Sequence, residues 1–206
     1  MRTRVNLKRT GDDLFEFDVE TPSIAQAVAR QLRREGLAED VVAGLASVAV
    51  RFHPSRAADI QAWLNEGVEA QGPDPESGEV LEITVRYGGK DGPDLQRICD
   101  QLDLTCDALI AMHTGRVHTV EMMGFTPGFS YLSGLPEGLK IPRLDEPRPR
   151  VAAGAVGLSA DYTGLYALAG PGGWPLIGRT VDTLFVSGRQ EPFLLEPGLR
   201  VTFRSA

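Results

Sequence analysis

Between Gly124 and Thr180 the chain gathers the side chains with which it could hold a small molecule. Phe125, Phe129, Tyr131, Leu132, Tyr162, Tyr166 and Trp174 supply apolar and aromatic surface, and Lys140, Arg143, Arg148, Arg150 and Arg179 supply positive charge. Glycine and proline are too dense here for a helix, since glycine costs backbone entropy and proline removes a donor and clashes with the preceding turn. Loops and short strands are expected, and rings of this size are costly to leave in water. A groove with aromatic walls and guanidinium groups suits a small anion or a peptide. Asp145 and Glu146 sit within the cationic run, so a self-neutralising surface loop is the competing reading, as a surface ion pair is for Arg179.

Other chemistries fit less well. Gly173 to Thr180, GWPLIGRT, matches the phosphate-loop pattern except for arginine in place of lysine. That loop needs a strand before it and a helix after it, so that backbone amides converge on phosphate. Pro175 removes one amide, and VDTLFV at 181–186 reads as strand. Ser130 in GFSYL lacks the second glycine of a nucleophile elbow. His53, His113 and His118 have no metal-ligand spacing, so no metal is expected. Glu121 lies in a strand where alternation would put it on one face with Met123 and leave Val120 and Met122 on the other. It is either an acid or base with a raised pKa or the wet face of an edge strand.

The elements that must position these residues read as α+β. Residues 4–9 and 14–20 alternate around Thr10–Asp13 as a hairpin. Thr21-Pro22-Ser23 opens a helix that Gly36 stops, with Ile24, Ala27, Val28, Gln31 and Leu32 on one face. Residues 46–52 form a strand, and Pro54-Ser55 opens a second helix carrying Ala58, Ile60, Trp63 and Leu64 inward. The breaker-rich stretch from Gly67 to Gly78 marks a boundary, giving domains 1–72 and 79–206. In the second, a strand at 80–87 leads to a helix from about Pro93 to Gln101 and, after an N-cap at Thr105, to a helix ending near Thr114. From Val117 short strands follow at VHTVEMMGF, RVAAGAVGLS, GLYALA, TLFVS and RVTFR, the pattern of a closed or sandwiched β unit.

Composition narrows the class further. The 206 residues carry a net charge of -7, which disfavours attraction to nucleic acid or anionic membranes. MRTRVNLKRTGDD has no apolar core of signal-peptide kind, and no segment reaches the ~20 apolar residues of a membrane span. A cytoplasmic protein is expected, with Cys99 and Cys106 as free thiols on or between neighbouring helices.

GFTPGFSYLSGLP, PRPRVAAGAVGL and PGGWPLIGRT, with VRYGG at 85–89, GPDL at 92–95 and His113, resemble the family of 5-oxoprolinase B subunits (PxpB), also known as KipI or allophanate hydrolase subunit 1. The resemblance implies a small N-terminal ferredoxin-like α+β domain followed by a C-terminal cyclophilin-like β-barrel domain. It implies a hydrolase subunit in the ATP-dependent opening of 5-oxo-L-proline to L-glutamate, acting with subunits C and A and inactive alone. ATP would phosphorylate the carbonyl oxygen of an otherwise poor lactam electrophile. Phe125, Pro127, Phe129, Tyr131, Arg143, Arg148, Arg150, Trp174 and Arg179 are then the substrate-binding candidates, and His113, where the family has histidine, and Glu121 the catalytic ones. Two other functions fit relatives of this kind: inhibition of a sensor histidine kinase by docking on it, and a part in an allophanate- or urea-degrading assembly.

Overall fold

The computed structural model describes residues 2–3, 7–66, 68–69 and 79–206, with backbone alone at 2–3 and 68–69. Residues 4–6 of the expected hairpin, and the expected linker over 67–78 apart from that backbone, lie outside the described residues. The chain divides into two compact units, Met1–Ser77 and Gly78–Ala206.

In the first unit β1 (Arg2–Thr3) pairs with β6 (Val68–Glu69), and β2 (Leu7–Thr10), β3 (Leu14–Asp18), β4 (Asp40–Ala43) and β5 (Ser47–Arg51) form an antiparallel sheet in the order β2-β3-β5-β4. Helix α1 (Pro22–Glu35) links β3 to β4, so β5 lies between the strands that the helix joins, the split β-α-β of ferredoxin-like domains. Thr21 caps α1 by accepting from the Ile24 amide at 3.2 Å, and Gly36 ends it at φ 62. Phe15, Phe17, Val48 and Val50 pack with Ala25, Val28 and Leu32 of α1 and with Ile60 and Leu64 of α2 (Ala57–Asn65). Each large side chain buried here stabilises by about 1.5–3 kcal/mol.

Three details depart from the pattern the sequence suggests. Strand β4 is too short to stand out in the sequence, since its alternation spans four residues with Val41 and Ala43 inward and Val42 exposed at the sheet edge. On α2 the alanine that packs against the core beside Ile60, Trp63 and Leu64 is Ala57, and Ala58 is exposed. On α1 Ala25 and Ala29 are buried whereas Gln31 and Ile24 are half-buried, so the apolar stripe is rotated toward the small residues.

The second unit is a closed barrel in the order β11-β12-β9-β8-β15-β7-β14. Its strands are β7 (Val80–Tyr87), β8 (Val117–Met123), β9 (Ser130–Ser133), β11 (Ala155–Ser159), β12 (Tyr162–Leu165), β14 (Leu176–Thr180) and β15 (Arg200–Ser205), and β10 (Arg148–Val151) pairs outside the barrel with β13 (Gly170–Gly172). Only β7 and β15 run parallel. Ile83, Val85, Val120, Leu132, Val156, Leu158, Leu165, Ile177, Val201 and Phe203 make up its core together with Leu95, Ile98 and Leu109 from α3 (Leu95–Leu102) and α4 (Cys106–Thr114).

Three expectations for this unit are corrected. RVAAGAVGLS is not one strand: β10 ends at Val151, the chain turns with Gly154 at φ 80, and β11 begins at Ala155 in the barrel. TLFVS is not a strand. Beyond an isolated bridge between Phe185 and Phe193 it has no ladder, because β7 is already bordered by β14 and β15 and the closed barrel leaves no edge for it. The alternation assumed for Glu121 also breaks. Val120 pairs with Leu132 and Met122 with Tyr131, so Glu121 is the extra residue of a β-bulge.

Candidate functional site

The turn after β8 positions the first wall of a groove. Phe129 donates its amide to Thr126 O at 3.0 Å and Gly124 donates to Phe129 O at 3.0 Å, which closes the turn. Within it Phe125 has φ 72, a left-handed conformation that disfavours a bulky side chain, and the residue is 64 % exposed. Strain of this kind costs on the order of 1 kcal/mol, and functional sites are where it concentrates. Gly128 has φ 77, and a Cβ there would come within 2.7 Å of Ala167 Cβ and closer still to the Phe193 ring.

Phe129 sits beneath the groove rather than in it. Its buried ring meets Tyr166, Tyr131, Trp174 and Phe125 edge-on, with centroids at 4.7, 4.8, 5.4 and 5.7 Å. Such pairs add about 0.5–1.5 kcal/mol each beyond burial. The cluster requires Gly164 on β12, where a Cβ would lie 2.7 Å from both Phe129 Cζ and the Trp174 indole.

Above this platform is a pocket of about 260 Å³ lined by Phe125, Tyr131, Arg143, Leu144, Pro147, Tyr166, Pro171, Gly172, Gly173 and Trp174. Burial raises the pKa of the Tyr131 and Tyr166 hydroxyls, and the Arg143 guanidinium opposes the shift at both. At Tyr166 the Trp174 backbone amide offsets burial first, without completing a hydrogen bond, and the buried hydroxyl has no partner. The groove thus combines four aromatic walls with one cation, and its lining holds no carboxylate, histidine or serine.

The structure separates the expected substrate-binding residues. Phe125, Tyr131, Trp174 and Arg143 come together in the groove, and Phe129 supports them. Pro127 is exposed in the turn and does not line it. Arg148 turns instead to Asp94, its Nη2 donating to Oδ1 at 2.9 Å. Arg150 is exposed on β10 outside the lining. Arg179 lies on β14, its Nε 3.3 Å from Asp91 Oδ1, and lines a different cavity of about 480 Å³ with Arg86, Thr180 and Asp182. Arg86 also pairs with Asp91, at 3.0 Å, so the two guanidinium groups of that cavity share one carboxylate. Lys140 is drawn to Asp161 at 2.8 Å. Tyr166, one of the rings noted in the sequence but not among the substrate-binding candidates, completes the lining with Leu144, Pro147 and Pro171 to Gly173, which the sequence did not single out because nothing local says which side chains turn inward.

The catalytic candidates are not in the groove lining. His113 is fully buried in the barrel, with Nδ1 2.7 Å from the Tyr87 hydroxyl, Nε2 3.0 Å from Thr163 Oγ1, and its ring stacked on Phe203 at 4.5 Å. Burial, and then neighbouring His118, hold its pKa well below the usual imidazole value, so it is neutral. His118 faces two carbonyls, Ser133 O and His113 O, each at 3.0 Å. Glu121 is half-buried at the bulge and accepts from Ser133 Oγ.

GWPLIGRT is no phosphate cradle. Leu176 to Thr180 form β14, the Leu176 amide goes to Asp94 Oδ2 at 2.6 Å and the Thr180 amide to Gly154 O at 2.8 Å, so these donors are spent within the fold. The residues therefore do not fit a nucleotide at this loop. No cluster of three or more His, Cys, Asp or Glu that could hold a metal ion occurs among the described residues, and no described helix is long and apolar enough to cross a membrane.

A split β-α-β unit followed by a seven-stranded barrel with an aromatic groove defines a carboxyltransferase-type module, and residues 9–195 match the family model described as carboxyltransferase domain, subdomain C and D. The chain belongs to this family and, within it, to the group of 5-oxoprolinase B subunits. It is 39% identical over 183 residues to the 5-oxoprolinase B subunit of Haemophilus influenzae, covering 86% of this chain and 84% of that one. It is 44% identical over 144 residues to the B subunit of the same name in Escherichia coli O157:H7, covering 70% of this chain and 64% of that relative's length. The crystal structure of TTHA0988 superposes with a TM-score of 0.81 at 33% identity, over 94% of this chain and 40% of that one.

Proposed function

We propose that this chain is the B subunit of an ATP-dependent 5-oxoprolinase that opens 5-oxo-L-proline to L-glutamate, and that it contributes one wall of a composite site completed by subunits C and A. The observation that carries this reading is the makeup of the groove, a guanidinium set among aromatic rings with no carboxylate, histidine, serine or cysteine in its lining. Such a wall recognises and orients but lacks the means to cleave a lactam. Phe125, Tyr131 and Trp174 enclose the five-membered ring, and Arg143 holds the substrate carboxylate by charge-assisted hydrogen bonds. Tyr166, with its unpartnered hydroxyl, forms the floor.

The names of the relatives, each called a subunit, support partners, as does TTHA0988, in which this fold occupies 40% of a longer chain. Handling of the nucleotide falls to the partners in this reading, because the described residues here present no phosphate loop. His113 and Glu121 then act from behind the wall, His113 by fixing Tyr87 and Thr163 and Glu121 by fixing Ser133. The assembly is placed in the cytoplasm, where its substrate and ATP meet.

The test is reconstitution. The three purified subunits are mixed with 5-oxoproline and ATP, and glutamate is followed. Turnover should require this chain and should fall when Arg143 is replaced; undiminished turnover with the chain omitted defeats the assignment.

A further inference from the structure

The thiols Cys99 and Cys106 play no part in the groove. They stand seven residues apart on neighbouring helices, and their sulfurs approach to 2.8 Å. That is inside van der Waals contact and about 0.8 Å from disulfide bonding distance. The intervening turn is fixed. Asp103 adopts φ 53 at the end of α3, the Leu104 amide donates to Cys99 O at 3.0 Å, and Thr105 Oγ1 caps α4 by accepting from the Ala108 amide at 3.1 Å.

The two thiols differ in access. Cys99 is fully buried beside Ile98 and Leu109, whereas Cys106, the first residue of α4, is half-buried with Gln96 Oε1 3.5 Å from its sulfur. A pair with one sulfur open to reagents and a second held behind it has the layout of an attacking and a resolving thiol.

We propose that Cys99 and Cys106 form a reversible intramolecular disulfide, a modification site whose co-reactant is a low-molecular-weight disulfide such as oxidised glutathione. The Cys106 thiolate attacks one sulfur of the oxidant, forming a mixed disulfide and releasing one thiol. Cys99 attacks the Cys106 sulfur, and its proton goes to the departing glutathione thiolate, which leaves as the second thiol. Two protein thiols are oxidised and one disulfide is reduced to two thiols. Burial first, and then the neighbouring Cys106 sulfur, raise the Cys99 pKa to about 12. In the reduced pair Cys106 is therefore the sulfur that meets the oxidant, and Cys99 resolves the mixed disulfide.

The experiment treats the reduced, folded full chain with oxidised glutathione and reads intact mass. The expected product has lost two hydrogens, carries no glutathione, no longer takes up N-ethylmaleimide, and returns to the starting mass with dithiothreitol; peptide mapping joins Cys99 to Cys106. Cys99→Ala should stop at a single glutathione adduct on Cys106. Cys106→Ser should leave Cys99 unmodified while the chain stays folded by circular dichroism. Retention of two alkylatable thiols, a stable glutathione adduct on the unsubstituted chain, or a disulfide formed only between molecules overturns the proposal.

Discussion

Arg148 and Asp94, 54 positions apart, are joined by a hydrogen bond of 2.9 Å from Nη2 to Oδ1, and the other oxygen of the same carboxylate takes the Leu176 amide at 2.6 Å. One buried side chain at the start of α3 thus fixes both β10 and β14, the strands that flank the groove-lining segments Leu144–Pro147 and Gly172–Trp174. Asp94→Ala would leave a guanidinium and an amide unpaired. Arg148 retains some solvent access, which tempers the loss expected for a buried pair. A fall of about 2–3 kcal/mol in the stability of the second unit is expected from urea unfolding, partly restored in the double variant with Arg148→Ala. Unchanged stability would show that the carboxylate does not tie the strands.

Arg143 and Arg150 lie on the same stretch but only Arg143 faces the groove. In the reconstituted system Arg143→Ala should lower kcat/KM by about 10–100-fold, corresponding to loss of a charge-assisted hydrogen bond of about 1.5–3 kcal/mol. Arg150→Ala should leave it within about twofold. Equal losses in the two variants would mean that general surface charge, rather than a placed guanidinium, is what the assembly needs.

Phe125 carries strain that glycine would not. Phe125→Gly should therefore leave the melting temperature unchanged or slightly raised, since release of about 1 kcal/mol of backbone strain offsets the added freedom of the unfolded chain. Glutamate formation by the assembly should drop. A variant that melts lower and turns over normally would reverse the reading, making the ring a structural contact only.

His113 and His118 both have lowered pKa values, chiefly through burial. A histidine with a depressed native pKa binds fewer protons when folded than when unfolded, so stability is fully present above the unfolded value near 6.5 and is lost as pH falls below it. The slope from His113, whose value is held well below 6.5, should approach about 1.4 kcal/mol per pH unit, with a smaller share from His118, whose two carbonyl contacts oppose the shift, read as urea midpoints between about pH 7 and pH 5. His113→Gln, which keeps an amide for Tyr87 or Thr163, should remove about one proton from that dependence. A slope unaltered by the substitution would place the proton uptake elsewhere.

Local chemistry made much of the architecture legible in advance. Thr21 and Gly36 bound α1, Thr105 begins α4, and the alternation of 80–87 and 200–204 marks strands, because caps and period-two patterns act over a few residues. Elements whose existence depends on a distant neighbour were not readable in the same way. TLFVS has a strand's composition but finds every barrel edge taken, and β4, with two inward side chains, becomes a strand only because β5 offers it an edge.

The candidate groove divides along the same line. Sequence alone determined that rings and guanidinium groups concentrate between Gly124 and Thr180, and that no complete catalytic constellation accompanies them. Only the tertiary structure decided which of them share a hollow. Arg143 joins Phe125, Tyr131 and Trp174, while Arg148 is claimed by Asp94 and Arg179 by Asp91. Side-chain spacing along a strand fixes which way a residue can point, but the partner that captures a long flexible cation is set by barrel closure, which brings Asp91 and Asp94 beside strands more than fifty residues away.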